Sequence, residues 1–133
     1  MTKLNLEDDR RCFVCGLDNP DGLRLEWITI DKTATAQFIP DQKYQGWKDI
    51  LHGGIVATLL DEAMTRLVCL VYGGALTAEM TIRFVKPAEI GKLLDIRGEI
   101  ISERRKIVEM KATIHSSGTL IAHATGKAIK ING

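Results

Sequence analysis

The longest hydrophobic pattern in the chain runs from His52 to Gly73 and predicts one amphipathic helix. Apolar residues recur three and four positions apart over about five helical turns, which places them on one face. Because Cys69 and Leu70 widen this face, we expect most of the helix to be buried. It should end at Gly73-Gly74, since glycine readily adopts the left-handed conformation that terminates helices. The apolar positions are Ile55, Val56, Leu59, Leu60, Ala63, Met64, Leu67, Val68 and Val71.

Alternating apolar and polar residues on both sides of this helix predict strands of an antiparallel sheet. Before the helix, residues 23–29 and 33–39 alternate and are separated by Asp31-Lys32, which predicts a hairpin. The segments that alternate after the helix are residues 75–87, 92–104, 107–117 and 120–131. Two strands, one long helix and about four further strands predict a two-layer α+β architecture.

The composition is that of an ordinary globular protein. With 133 residues we predict a single domain, residues 1–133, in which residues 1–22 form a polar lead-in and a loop. A net charge of +1 without a basic half gives no electrostatic case for nucleic acid binding. No apolar run reaches the length of a membrane span, and the N-terminus lacks a signal-peptide pattern. Three cysteines without a secretion signal predict free thiols and a cytoplasmic location.

Two of the cysteines form a C-x-x-C motif, Cys12 and Cys15, followed by a turn at residues 19–22. A structural zinc ion usually needs four ligands, and no second C-x-x-C or H-x₃₋₅-H follows in this chain. A thioredoxin-like redox motif would open a helix after a strand, whereas this pair leads into a turn. The spacing therefore favours two thiols that pack a loop against the domain, and we expect neither a metal nor another cofactor.

One acidic residue, Asp61, interrupts the apolar pattern of the helix. A carboxylate in such a setting costs free energy unless it is paired, hydrogen-bonded or part of a site. Thr58 and Thr65 lie three residues before it and four after it, so the three side chains share one helix face. The helix also opens with Gly53-Gly54, and glycines allow a ligand to approach the free N–H groups of a helix start. The alternative is a solvated Asp61 at the edge of the helix, where most acidic residues lie.

Three segments of the chain match motifs of a known family. They are CFVCGLDNPDGL at 12–23, HGGIVATLLDEAM at 52–64 and RFVKPAEIGKLL at 83–94. Through them the sequence resembles the hotdog fold and, more narrowly, acyl-CoA thioesterases of the PaaI and 4-hydroxybenzoyl-CoA thioesterase type. The resemblance implies one long central helix wrapped by a curved antiparallel sheet of five or six strands. It also implies a thioester hydrolase that acts on an acyl- or aryl-CoA as a homodimer or homotetramer with active sites between subunits.

The resemblance assigns roles to residues at the start and in the middle of the helix. Asp61, eight positions after Gly53, would attack the thioester or activate a water, and it is the principal catalytic candidate. The N–H of Gly53 or Gly54 would form the oxyanion hole, supported by the positive end of the helix dipole. Thr65 falls where relatives support the nucleophile or its water. His52 is expected to shape the turn, with direct substrate contact as the alternative.

The same resemblance suggests substrate-binding residues outside the helix. Relatives often carry Asn or Gln in the preceding loop, where this chain has Gly46 with Gln45 beside it. Either Gln45 takes that role through a shift in register, or the role is absent and turnover is slower. Trp47 in this loop is expected to pack over the cleft, and Thr58 to border it. Glu79 falls where relatives place a polar group of the partner subunit, and the alternative is an outward strand residue.

Basic residues are the candidates for binding the phosphates of CoA. Arg104 and Arg105 lie together at a predicted hairpin tip, and Arg83 lies on a strand. The alternative is that these charges are simply solvated. For the whole chain, the alternatives to a thioesterase are a non-catalytic acyl-CoA-binding hotdog module and a structural hotdog protein.

Overall fold

The computed structural model describes residues 4–131 and contains one α-helix packed on one six-stranded sheet. The helix, α1, spans Gly53–Tyr72, and a short 3-10 helix spans Gln42–Tyr44. The strands are β1 Ile28–Ile30, β2 Thr33–Phe38, β3 Ala75–Phe84, β4 Leu94–Arg104, β5 Ile107–Ser116 and β6 Thr119–Lys130. They are all antiparallel to their neighbours, in the order β1-β2-β4-β5-β6-β3. This two-layer α+β arrangement confirms the predicted hotdog fold.

The segment before β1 differs from the prediction. Alternation over residues 23–29 predicts a strand, but only Ile28–Ile30 pairs with β2. The N–H groups of Leu23 and Leu25 instead donate to the carbonyls of Phe13 and Val14, both at 2.8 Å. The alternation in residues 23–27 therefore reflects contact with the N-terminal loop rather than membership of the sheet.

Helix α1 is buried along its sheet-facing side, as its apolar pattern predicts. The expectation that most of the helix is buried is wrong, because Leu70 and Val71 in its last turn are exposed. The fully buried residues of this face are Leu59, Leu60, Ala63, Met64, Leu67 and Val68. They pack on alternate buried positions of the long central strands, which is why the helix lies across the sheet. The helix ends at Gly73, whose φ of 89° is left-handed and whose N–H donates to the carbonyl of Cys69. Within residues 4–131, no helix is long and apolar enough to cross a membrane.

Helix and sheet approach each other closely at Gly98 of β4. A Cβ at this position would lie 2.1 Å from the carbonyl oxygen of Ala63, so the helix backbone would have to move. We expect Gly98→Ala to lower the free energy of unfolding by about 3 kcal/mol, measured by urea denaturation. Gly126→Ala is the graded control, because its Cβ would meet the flexible end of Met64 at 3.2 Å and the carbonyl oxygen of Glu79 at 3.1 Å. Equal losses in the two variants would contradict this account.

Candidate active site

The start of α1 leaves one backbone donor free. His52 is the N-cap, and its Nδ1 accepts a hydrogen bond from the N–H of Gly54 at 2.8 Å. The N–H groups of Ile55 and Val56 donate to the carbonyl of His52. The N–H of Gly53 has no acceptor within residues 4–131. Of the two glycine donors expected from the sequence, Gly53 is therefore the one that remains available to a carbonyl oxygen.

A cavity of about 410 Å³ opens beside Gly53. Val56 of the helix contributes to its apolar lining, and Lys86 is a basic residue on its border. Two large aromatic side chains also line it and are unusually exposed, Trp47 at 84% and Phe84 at 57%. Exposed apolar rings around a cavity are typical of surfaces that bind an apolar ligand or another protein.

The carboxylate of Asp61 is held by a threonine from the sheet. Asp61 is half-buried, and its Oδ1 accepts a hydrogen bond from the Oγ1 of Thr77 at 2.6 Å. The two helix threonines behave differently, because Thr58 and Thr65 donate to the backbone carbonyls of Gly54 and Asp61, at 2.8 and 2.7 Å. The side chain that orients the carboxylate is therefore Thr77, a residue that the sequence pattern does not indicate.

A β-bulge explains why Thr77 was missed. The register of β3 against β6 shifts between Thr77 and Glu79, so that Thr77 pairs with the buried Ala128 while Glu79 pairs with the exposed Lys127. Strict alternation would put Thr77 and Glu79 on the same face, but the bulge separates them. Glu79 therefore lies on the outer face of the sheet and Thr77 on the face towards α1.

Gly53 and Asp61 do not border the same cavity. Asp61 and Thr77 line a second cavity, of about 440 Å³, on which Cys12 and Cys15 also border. Asp61 lies eight positions after Gly53 in the helix, which corresponds to ~12 Å along the axis. An attacking atom must come within about 3–3.5 Å of the carbonyl carbon. Within this chain, the Gly53 N–H and the Asp61 carboxylate therefore border different cavities, separated by ~12 Å along the helix axis.

The loop before the helix is shaped by its own contacts. The Oε1 of Gln45 accepts from the N–H of Asp49 at 3.1 Å, so this side chain stabilises the loop. Gly46 packs against His52, whose Cα would be 3.3 Å from an added Cβ. Of the three neighbouring residues expected to bind substrate, only Trp47 borders the cavity at Gly53.

The candidate basic residues lie apart from both cavities. Arg83 is exposed on β3 and pairs with His123 of β6. Arg104 and Arg105 lie at the exposed β4–β5 turn, where Arg105 takes a left-handed φ of 56°. The cavity at Gly53 is instead bordered by a different basic residue, Lys86.

The three cysteines are half-buried free thiols. As expected, Cys12 and Cys15 pack their loop against α1, where the Nη1 of Arg66 donates to the Sγ of Cys15 at 3.2 Å. Burial, together with the nearby carboxylate of Glu62, raises the pKa of the Cys15 thiol above its usual value. Burial also raises the pKa of Cys69. Because the thiolate is the reactive form, these shifts disfavour a nucleophilic role for either residue.

Known proteins resemble this chain in sequence and in fold. The family profile described as Thioesterase superfamily matches residues 48–122. Acyl-coenzyme A thioesterase THEM4 of Xenopus laevis is 26% identical over 129 residues, which cover 92% of this chain and 58% of that protein. This chain therefore spans little more than half the length of that relative.

Two solved structures share the fold at low sequence identity. The PaaI protein of the E. coli phenylacetic acid degradation operon superposes with a TM-score of 0.78 and 20% identity, covering 84% of this chain and 82% of that chain. A hypothetical thioesterase from Streptococcus pneumoniae TIGR4, crystallised with coenzyme A, gives a TM-score of 0.75 and 20% identity, covering 79% and 86%. Both likenesses concern the fold.

Proposed function

We propose, because this chain belongs to the thioesterase superfamily, that it hydrolyses an acyl- or aryl-CoA thioester to the free acid and CoA. The observation that carries the proposal is that the same helix has a free Gly53 N–H at its start and an oriented Asp61 carboxylate two turns later. The name of the THEM4 relative and the coenzyme A in the pneumococcal structure support CoA thioesters as the substrate class.

The chemistry needs no group beyond these two. The carboxylate of Asp61 removes a proton from a water whose oxygen attacks the thioester carbonyl carbon, or it attacks that carbon itself. The carbonyl oxygen becomes an oxyanion and accepts a hydrogen bond from the Gly53 N–H, where the helix dipole adds stabilisation. The C–S bond then breaks, and CoA leaves as a thiolate, which is stable enough to need little acid assistance. In the route by direct attack, water then hydrolyses the acyl–Asp61 anhydride, which releases the free acid and restores the carboxylate.

We infer that two protomers build each site, because ~12 Å of helix separates Gly53 from Asp61 within one protomer. Strand β3 is an edge of the sheet, with Thr77 beside Asp61 towards one end and Phe84 beside Gly53 at the other. If the β3 strands of two copies pair antiparallel, the Thr77 end of one β3 lies beside the Phe84 end of the other. Asp61 would then face Gly53 of the partner subunit. The same pairing would cover the exposed apolar side chains of this edge.

Removal of the Thr77 hydroxyl tests whether this residue orients Asp61. We expect Thr77→Val to lower kcat about tenfold, the effect of losing a hydrogen bond to a charged group, with little change in KM. Thr77→Ser should restore kcat, because serine supplies the same hydroxyl. Steady-state kinetics on the acyl-CoA with the highest kcat/KM would measure the effects on kcat and on KM separately. A rise in KM with unchanged kcat would place Thr77 in substrate binding instead.

The function itself is tested by hydrolysis of aryl, short-chain and medium-chain acyl-CoAs by the full chain. We expect turnover of at least one class. The competing function, a non-catalytic acyl-CoA-binding module, predicts calorimetric binding of the same compounds without hydrolysis. Binding without turnover across the panel would therefore contradict the enzyme proposal and favour the binding module.

A further inference from the structure

The loop that carries Cys12 and Cys15 is ordered by its own backbone. The N–H of Gly16 donates to the carbonyl of Cys12 at 2.9 Å, and the N–H of Leu23 donates to the carbonyl of Phe13 at 2.8 Å. A Cβ at Gly16 would lie 2.3 Å from the backbone nitrogen of Cys12, so this tight turn requires glycine. The turn therefore holds the two thiols close together independently of any ligand.

A third donor comes from the middle of α1. One atom each of Cys12, Cys15 and Glu62 lie within 4.8 Å of one another, and all three residues are half-buried. With Zn–S bonds of about 2.3 Å and Zn–O bonds of about 2.0–2.2 Å, the ligand atoms of a tetrahedral zinc ion lie roughly 3.5–3.8 Å apart. Small side-chain rotations would bring these donors to that spacing.

We propose that Cys12, Cys15 and Glu62 bind a Zn²⁺ ion, which fastens the N-terminal loop to α1. Two thiolates with one carboxylate favour zinc over the harder cations Mg²⁺ and Ca²⁺. The two thiols lose their protons to solvent when the metal binds. A water molecule would occupy the fourth coordination position of the zinc ion. It would come from the cavity of about 440 Å³ that all three residues border.

The surroundings of the two sulfur atoms suit a metal site. The N–H of Val14 donates to the Sγ of Cys12 at 3.4 Å, and the Nη1 of Arg66 donates to the Sγ of Cys15 at 3.2 Å. Such donors orient thiolate ligands and stabilise their charge. The charges of two thiolates and the Glu62 carboxylate are balanced by Zn²⁺ together with the Arg66 guanidinium. The half-buried cluster is thus neutral, which removes most of the cost of burying it.

The C-x-x-C motif alone argued against a metal site, because it contains only two of the three proposed donors. Glu62 lies far along the chain from the C-x-x-C motif, and only the packing of the loop on α1 brings it near. The three proposed ligands have no role in the proposed hydrolysis, although they border the same cavity as Asp61.

The test uses the full, reduced chain freed of metal by a chelator and titrated with Co²⁺. We expect one Co²⁺ per protomer, thiolate-to-cobalt charge-transfer absorption in the near ultraviolet, and the strong visible bands of tetrahedral cobalt. Zn²⁺ should displace Co²⁺. At about a hundredfold excess over its Kd, Zn²⁺ should raise Tm by roughly 5–10 °C.

Substitutions assign the binding to these residues. Cys12→Ser and Cys15→Ser should each weaken Zn²⁺ binding by more than ~100-fold and lose charge-transfer intensity, whereas Glu62→Gln should weaken binding and keep that absorption. Cys69→Ser is the matched control, because its thiol donates to the carbonyl of Ala75 and lies outside the cluster. Co²⁺ binding without thiolate absorption in the wild-type chain would overturn the proposal. So would a Cys12–Cys15 disulfide formed in air by a chain that binds no Zn²⁺.

Discussion

Asp61→Asn is expected to lower kcat/KM for acyl-CoA hydrolysis by roughly 10³–10⁴-fold. Asparagine keeps the volume of the side chain and an oxygen that can accept the Thr77 hydrogen bond, which is 2.6 Å in the wild-type chain. It has neither the basicity to take a proton from water nor the negative charge to attack a carbonyl carbon. The fold and substrate binding should therefore survive while the chemical step is lost.

The measurement should follow loss of the thioester absorbance directly. A thiol-reactive dye is less suitable, because the free thiol of Cys12 would add a background signal. Calorimetric binding of the substrate to the variant then separates lost chemistry from lost affinity. If turnover falls only a few-fold, Asp61 is not the reacting carboxylate.

Asp95→Asn provides the matched control for this substitution. Asp95 is an exposed carboxylate on β4 that accepts a hydrogen bond from Gln37 at 3.0 Å, and it borders neither cavity of the candidate site. The same chemical change at this position should leave kcat/KM near the wild-type value. A comparable loss in both variants would indicate a general effect of charge removal rather than a catalytic role of Asp61.

Hydrophobic periodicity was sufficient to predict α1 and most of the sheet. The helix is amphipathic over its whole length and ends at a glycine, and the long strands alternate, so each local pattern agrees with the final packing. The 23–27 segment was an exception. Its alternate apolar side chains pack on the core, but its backbone bonds to Phe13 and Val14 rather than to the sheet, a contact with no local signature in the sequence. The local pattern of apolar residues thus predicts helices and strands better than it predicts which segments bond to one another.

The candidate site was predictable only where its residues lie on one helix. Asp61 and Gly53 stand out by their positions in α1, because a carboxylate and a glycine pair are unusual there. Thr77 could not be recognised, since a bulge reverses the face of β3 on which it lies. Glu62 was inconspicuous for a related reason, because its neighbours Cys12 and Cys15 approach it only through tertiary packing.

Gly53→Pro is expected to lower kcat by roughly 10²–10³-fold, the usual effect of losing one oxyanion-hole donor, with a small change in KM. Proline lacks the backbone N–H and is well tolerated at the first position of a helix. His52 has φ −58° and ψ 134°, a conformation that accepts a following proline. Gly53→Ala is the control, because it keeps the N–H and its Cβ would meet only Phe84, at 3.7 Å. Equal losses in the two variants would point to a steric effect and away from the oxyanion hole.

Co-expression of the Gly53→Pro variant with the Asp61→Asn variant tests whether each site is built by two protomers. Each variant alone should be nearly inactive. A mixed dimer contains one complete site, formed by Asp61 of the proline variant and Gly53 of the partner subunit, and one site that lacks both groups. Random association in equal amounts should therefore restore about a quarter of wild-type activity, measured after co-expression with two different tags. If both groups acted within one protomer, co-expression would restore nothing, because no protomer in the mixture carries an intact pair.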